Sequence, residues 1–134
     1  MSTKGTWGNR SSFTFDTGIT TPNVIAAYST VNAGNAVLAG GDSLALIGVL
    51  VEPSNNANST GSVQLTGIAS VTAGATIVAG NVLCSNALGQ AIPFTPSASG
   101  ASERGVLGLA VNSASAGNLV DVNLSIGSFA ANQV

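Results

Sequence analysis

The chain has 134 residues, enough to bury one core and too few for two independent ones. Charged residues make up 6% of it, against about 25% in an average soluble protein, while hydrophobic residues hold their usual share at 45%, a balance opposite to that of a disordered chain. Lys4, Arg10 and Arg104 are its only basic side chains, so it lacks the clusters that neutralise phosphates, and a nucleic-acid partner is excluded.

Residues 1–19 carry Trp7, Phe13 and Phe15 among Gly, Ser, Thr and Asn without a sustained period, and they read as an extended N-terminal arm. Aromatic groups on a segment that cannot fold alone dock on something, which makes these three the candidate partner-binding residues. The Phe13-Thr14-Phe15 alternation suits addition of a strand to a neighbour's sheet; the competing reading is that the rings fold back over their own core. Residues 20–134 read as a single β domain. Leu44 to Val51 is apolar on both faces and is expected to be a central strand or one buried at an interface. With the low charge, this points to an oligomer.

Val63, Leu65, Gly67, Ala69 and Val71 alternate with polar residues except at Ile68, which predicts one half-buried strand. Short strands are expected at Thr76–Val78, Val82–Ser85 and Gln90–Phe94, with turns at Ala79-Gly80-Asn81 and Asn86–Gly89. Val120, Val122, Leu124 and Ile126 alternate with Asp121, Asn123 and Ser125, a second half-buried strand whose apolar members belong in the core. No capping box leads into a helical period, so helix content should be small. An internal echo is present: Ile47-Gly48-Val49-Leu50-Val51, a loop, then Val63-Gln64-Leu65, followed later by Leu107-Gly108-Leu109-Ala110-Val111, a loop, then Val120 to Leu124. Two such strand–loop–strand units make a small β-barrel or β-sandwich, and the fold class is all-β.

The inventory of reactive groups argues against an enzyme. Without histidine, a Ser or Cys nucleophile has no imidazole base and a metal site loses its commonest ligand. Asp16, Asp42, Glu52, Glu103 and Asp121 are dispersed, with no spacing that makes a carboxylate pair. Gly40-Gly41-Asp42 lacks the Lys and Ser/Thr of a phosphate loop and reads as a turn. Glu52–Asn58 offers one carboxylate where calcium loops need several, and reads as a solvated loop. No catalytic residue, metal or cofactor is expected. Glu103-Arg104 is an exposed charge pair or an interface contact. Lone Cys84 reads as a small buried hydrophobe. No signal peptide and no apolar run long enough to span a membrane is seen, so no membrane partner is expected.

The stretch from Gly67 to Leu124 contains Gly67-Ile68-Ala69-Ser70-Val71, Ala73-Gly74-Ala75-Thr76-Ile77, Ala79-Gly80-Asn81-Val82-Leu83, Leu88-Gly89-Gln90-Ala91-Ile92-Pro93 and Val106-Leu107-Gly108-Leu109-Ala110. It ends in Ser113-Ala114-Ser115-Ala116-Gly117-Asn118-Leu119-Val120-Asp121-Val122. In this order the motifs resemble the capsid cement, or head decoration, proteins of tailed bacteriophages, with Asn81 and Asn118 where that family tends to have Asp. The resemblance implies a small β subunit, commonly a homotrimer, that sits on the outside of a viral head and clamps neighbouring major capsid proteins. It implies a virion protein made in the host cytoplasm. A fibre or adhesin-type β module binding a surface glycan would share the composition and is the alternative.

Overall fold

The computed structural model describes residues 8–41, 45–94 and 103–130. Within them the chain forms ten strands and no helix: β1 (Arg10–Thr14), β2 (Val24–Tyr28), β3 (Ala36–Leu38), β4 (Leu46–Glu52), β5 (Thr60–Gln64), β6 (Ile68–Thr72), β7 (Val82–Ser85), β8 (Ala91–Pro93), β9 (Glu103–Ala110) and β10 (Leu119–Ala130). Two five-stranded antiparallel sheets result, ordered β1-β5-β4-β2-β3 and β6-β10-β9-β7-β8, and they pack as a sandwich. The outer strands of each sheet meet only through a single parallel bridge, Phe15 with Ala36 and Ala73 with Ala91, so neither sheet closes into a barrel.

The second sheet order is the first with five added to every strand number, and the internal echo in the sequence is its trace. The hydrogen bonds repeat as well. The Phe15 N–H donates to Ser59 O (3.0 Å) and that of Ala73 to Asn118 O (2.8 Å). The Ala39 N–H donates to Ile25 O (2.9 Å) and that of Phe94 to Val82 O (2.7 Å). Left-handed turn residues fall at matching places, Asn23 with Gly80 and Asn58 with Gly117. Gly48 and Gly108 also correspond, and each lies where a Cβ would stand about 2 Å from a carbonyl oxygen of the paired strand, 1.9 Å from Gln64 O and 2.1 Å from Asn123 O. Only glycine permits that approach.

The units are stacked rather than related face to face. Phe15, Ala26, Ala36, Ile47, Leu50 and Val63 form a core within the first unit. Their counterparts Ala73, Leu83, Ala91, Leu107, Ala110 and Val122 instead pack against the other face of the first sheet, presented by Ile25, Ala27, Ala39, Leu46 and Val49. Ala at positions 73 and 110, where the first unit has Phe15 and Leu50, leaves room for that sheet. β4 is therefore apolar on both faces because both are covered by its own chain, which answers the choice between a central and an interfacial strand in favour of the central one. The oligomer inference loses that support.

Three sequence expectations are corrected. Val63 to Val71 is two strands in different sheets, β5 and β6, because Gly67 turns the chain at φ 86° and the short link preserves the apolar phase. Gln64, buried, ties the crossing by donating to Thr66 O (2.9 Å) and Ile68 O (3.0 Å). Ile126 is half-exposed rather than in the core, since a register shift between Leu124 and Gly127 breaks the alternation. Thr76–Val78 forms no strand, only an isolated bridge from Ile77 to Ala114.

Candidate interaction surface

Residues 8–19, expected within a free arm, are built into the first unit. β1 is extended but pairs with β5 from Arg10 opposite Gln64 to Thr14 opposite Thr60. Phe15 is completely buried, its N–H and C=O bonded to Ser59 and Asn58, so its ring cannot serve a partner. Nothing in the local sequence marks this, because the pairing strand lies far along the chain. Phe13, half-buried, packs edge-on against Tyr28, with ring centroids 6.2 Å apart and planes at 77°. Trp7 lies outside the described residues.

Next to this pair the β2–β3 hairpin is fastened by one carboxylate that sequence reading passed over. Asp16 accepts from Ser29 Oγ (2.5 Å), Asn35 Nδ2 (2.8 Å) and Asn32 Nδ2 (3.0 Å). Ser29 Oγ in turn accepts from the N–H groups of Val31 (3.1 Å) and Asn32 (3.0 Å). The bonds from Ser29, Asn35 and Asn32 favour the ionised form and hold the Asp16 carboxyl below its ordinary value, against a smaller opposing effect of burial. The outcome is a fixed hairpin that carries Val31 at its tip, 83% exposed, and Tyr28 at its base, 48% exposed. The matching hairpin of the second unit has Gly74 in place of Asp16. There Asn86 takes over, accepting from the N–H groups of Leu88 and Gln90 (2.9 Å each) and donating to Gln90 Oε1 (3.0 Å).

Glu103 and Arg104 open β9, paired through the backbone with Ala130 and Phe129; their side chains lie outside the described residues. Asp121, expected on a solvated face, is buried, accepting from Ser70 Oγ (2.8 Å) and Asn112 Nδ2 (3.3 Å). The Glu52–Asn58 loop is not simply solvated: the N–H groups of Ser54 and Asn55 donate to Ile19 O, tying it to the β1–β2 connection. Cys84 is buried. Among the described residues no three His, Cys, Asp or Glu side chains gather as a metal site.

These features define an all-β sandwich with fixed hairpins, exposed apolar side chains and little charge. The sequence profile of the phage cement protein family matches residues 15–129, and the chain belongs to that family, whose function is structural and associated with the phage capsid. No curated protein matches the chain. Among solved structures it is similar to the N base of the head fibre gp8.5 of bacteriophage phi29, at 22% identity and a TM-score of 0.65, covering 87% of this chain and 95% of that one. At that identity the likeness supports the two-sheet fold.

Proposed function

We propose that the protein is a non-catalytic homotrimeric cement subunit, made in the host cytoplasm, that binds the outer surface of a phage head and clamps neighbouring major capsid proteins. The observation that carries this reading is the family match across nearly the whole described chain, from Phe15 to Phe129. The surface is consistent with it: hydrophobic groups set among uncharged ones are desolvated at low cost when a partner covers them. Three weak contacts on one trimer act together, so modest contacts per subunit suffice. The contacts are assigned to the Phe13–Tyr28 pair, the Val31 hairpin tip, the segment bearing Trp7, and Glu103-Arg104.

The test is co-sedimentation of the full chain with expanded capsids of its phage, followed by electron microscopy of the decorated particle. Stoichiometric density outside the capsid shell is expected. Absence of binding, or retention on a glycan resin instead, would overturn the reading in favour of a fibre or adhesin module.

A further inference from the structure

The β9–β10 ribbon goes beyond what the repeat requires. β5 ends at Gln64 and its chain turns at Gly67, whereas β10, its counterpart, continues to Ala130. On one side β10 is paired with β9 as far as Ala130 opposite Glu103. On the other side β6 accompanies it only to Asn123 opposite Ile68, followed by a last bond from the Leu124 N–H to Gly67 O (2.8 Å). Among the described residues nothing pairs with the β6 side of β10 over residues 125–130. An unpaired edge is a template for another strand, and proteins blunt it with proline, with charge or with a cover. The outer strand β8 of the same sheet carries Pro93, whereas residues 125–130 hold neither proline nor a charged side chain.

We propose that residues 1–7 of the same chain cover this edge as an antiparallel strand. What favours them is where the chain enters the body. Gly8 lies so close to Thr66 O that no Cβ fits between them, and the Asn9 N–H donates to Thr66 Oγ1 (2.9 Å). Thr66 is followed by Gly67, the residue that holds Leu124, so the entry point is beside the place where the free edge begins. Direction agrees. β1 is antiparallel to β5, so the chain arrives at Gly8 from beyond the Thr66–Gly67 turn. β10 is antiparallel to β6, which starts at that turn, so residues 125–130 leave the body by the same end. Length agrees as well: seven extended residues span about 23 Å and the six of the open edge about 20 Å. Residues 1–7 include no proline, and Thr3, Thr6 and Trp7 are of types favoured in strands. Pairing through the main chain leaves the side chains of the strand facing outward from the sheet, so the proposal does not rest on the capsid reading; it states what holds the segment bearing Trp7.

The experiment is amide hydrogen exchange, followed by NMR, on the full chain and on the double variant Thr3→Pro with Thr6→Pro, which removes two N–H donors and blocks strand pairing. Thr3→Ser with Thr6→Ser is the control for loss of the side chains. Unchanged exchange of the β2 and β4 amides establishes that each variant is folded, and Thr3→Pro alone serves if the double variant is not. In the wild type and the serine control, the amides of residues 125–130 that point away from β9 should exchange about tenfold or more slowly than in the proline variant. Equal exchange at this edge in wild type and proline variant overturns the proposal. Protection that disappears on dilution also overturns it, because a second copy would then supply the strand. Co-sedimentation with capsids separates the two readings. Edge protection in a wild type that does not bind capsids sustains the pairing and removes the capsid role, whereas capsid binding by a wild type without edge protection does the reverse.

Discussion

Replacing Phe15 with alanine tests whether the first twenty residues belong to the body of the protein or to a partner. The ring is completely buried in the first unit's core with Leu50 and Val63, and a Cβ added at Gly61 would stand 3.1 Å from Phe15 Cε1. Fully buried Phe→Ala changes cost about 3–5 kcal/mol from lost transfer energy and the cavity left behind. The backbone bonds of residue 15 to Ser59 and Asn58 resist collapse of that cavity, which places the cost in the upper part of the range. Set against a typical stability of about 5–15 kcal/mol, the variant should be folded but badly weakened. For a chain of this size the midpoint should fall by roughly 10–20 °C. Thermal melting and urea titration followed by circular dichroism measure this directly. Phe13→Ala, at a half-buried site, should cost no more than about 1–2 kcal/mol. If Phe15→Ala melts within a few degrees of wild type yet no longer binds capsids, the ring is a partner contact and its placement in the core is wrong.

Gly108→Ala forces a Cβ to about 2 Å from Asn123 O, backbone against backbone, and should abolish soluble expression or cost more than about 4 kcal/mol; a near-neutral melt would refute the close approach. Asp121→Ala removes the acceptor for Ser70 Oγ and Asn112 Nδ2 in a buried setting and should cost about 1–3 kcal/mol by denaturant titration, with Asp121→Asn milder. For Asp16, whose carboxyl is held lower when folded than when unfolded, the contribution to stability is complete above the unfolded value and is lost as pH falls through the folded one. Carboxyl NMR should therefore place its titration below the ordinary 3.8, and Asp16→Asn should remove that acid-side loss of order in the Ser29–Asn35 hairpin. Val122→Asp places a charge among fully buried apolar side chains and should prevent folding, read as loss of the β spectrum.

How far the sequence foretold this fold can be judged residue by residue. The all-β class and the strands around Leu46–Glu52, Val82–Ser85 and Leu119–Leu124 follow from apolar runs and period 2, which are local signals. The echo around Gly48 and Gly108 showed a repeated strand–loop–strand, but it could not reveal that each copy gathers three further strands, because those pairings are non-local. β2, Val24–Tyr28, is buried at its first four positions and offers no alternation to read. Phe15 looked like an arm residue because burial there depends on β5, β3 and the Ser59 turn, none of them neighbours in sequence. Ile126 was misplaced because a register shift leaves no mark in a pattern of alternating residues. Of the candidate surface, Phe13 was visible as an aromatic group in the N-terminal segment, whereas the Asp16 hairpin required knowing that residues 29, 32 and 35 return to one carboxylate.

The stacked arrangement of the two units has a consequence that a twofold arrangement would lack. Had the units met through equivalent faces, each would cover the other and the pair would close. Here the interior side of the second unit covers the outer face of the first, a head-to-tail contact, and among the described residues the equivalent outer face of the second unit buries Val106 but leaves Leu109 and Ile126 partly exposed. Head-to-tail repeats leave ends of this kind, which are either capped with polar residues or used. Among the described residues this end presents Val82, Val106, Leu109 and Ile126 beside Ser125. In the first unit the opposite end is closed by large residues, Phe15 and Leu50 standing where the second unit has alanine, and it has become a self-sufficient core. The first unit's end is thus finished, whereas the described part of the second unit's end keeps Leu109 and Ile126 partly exposed.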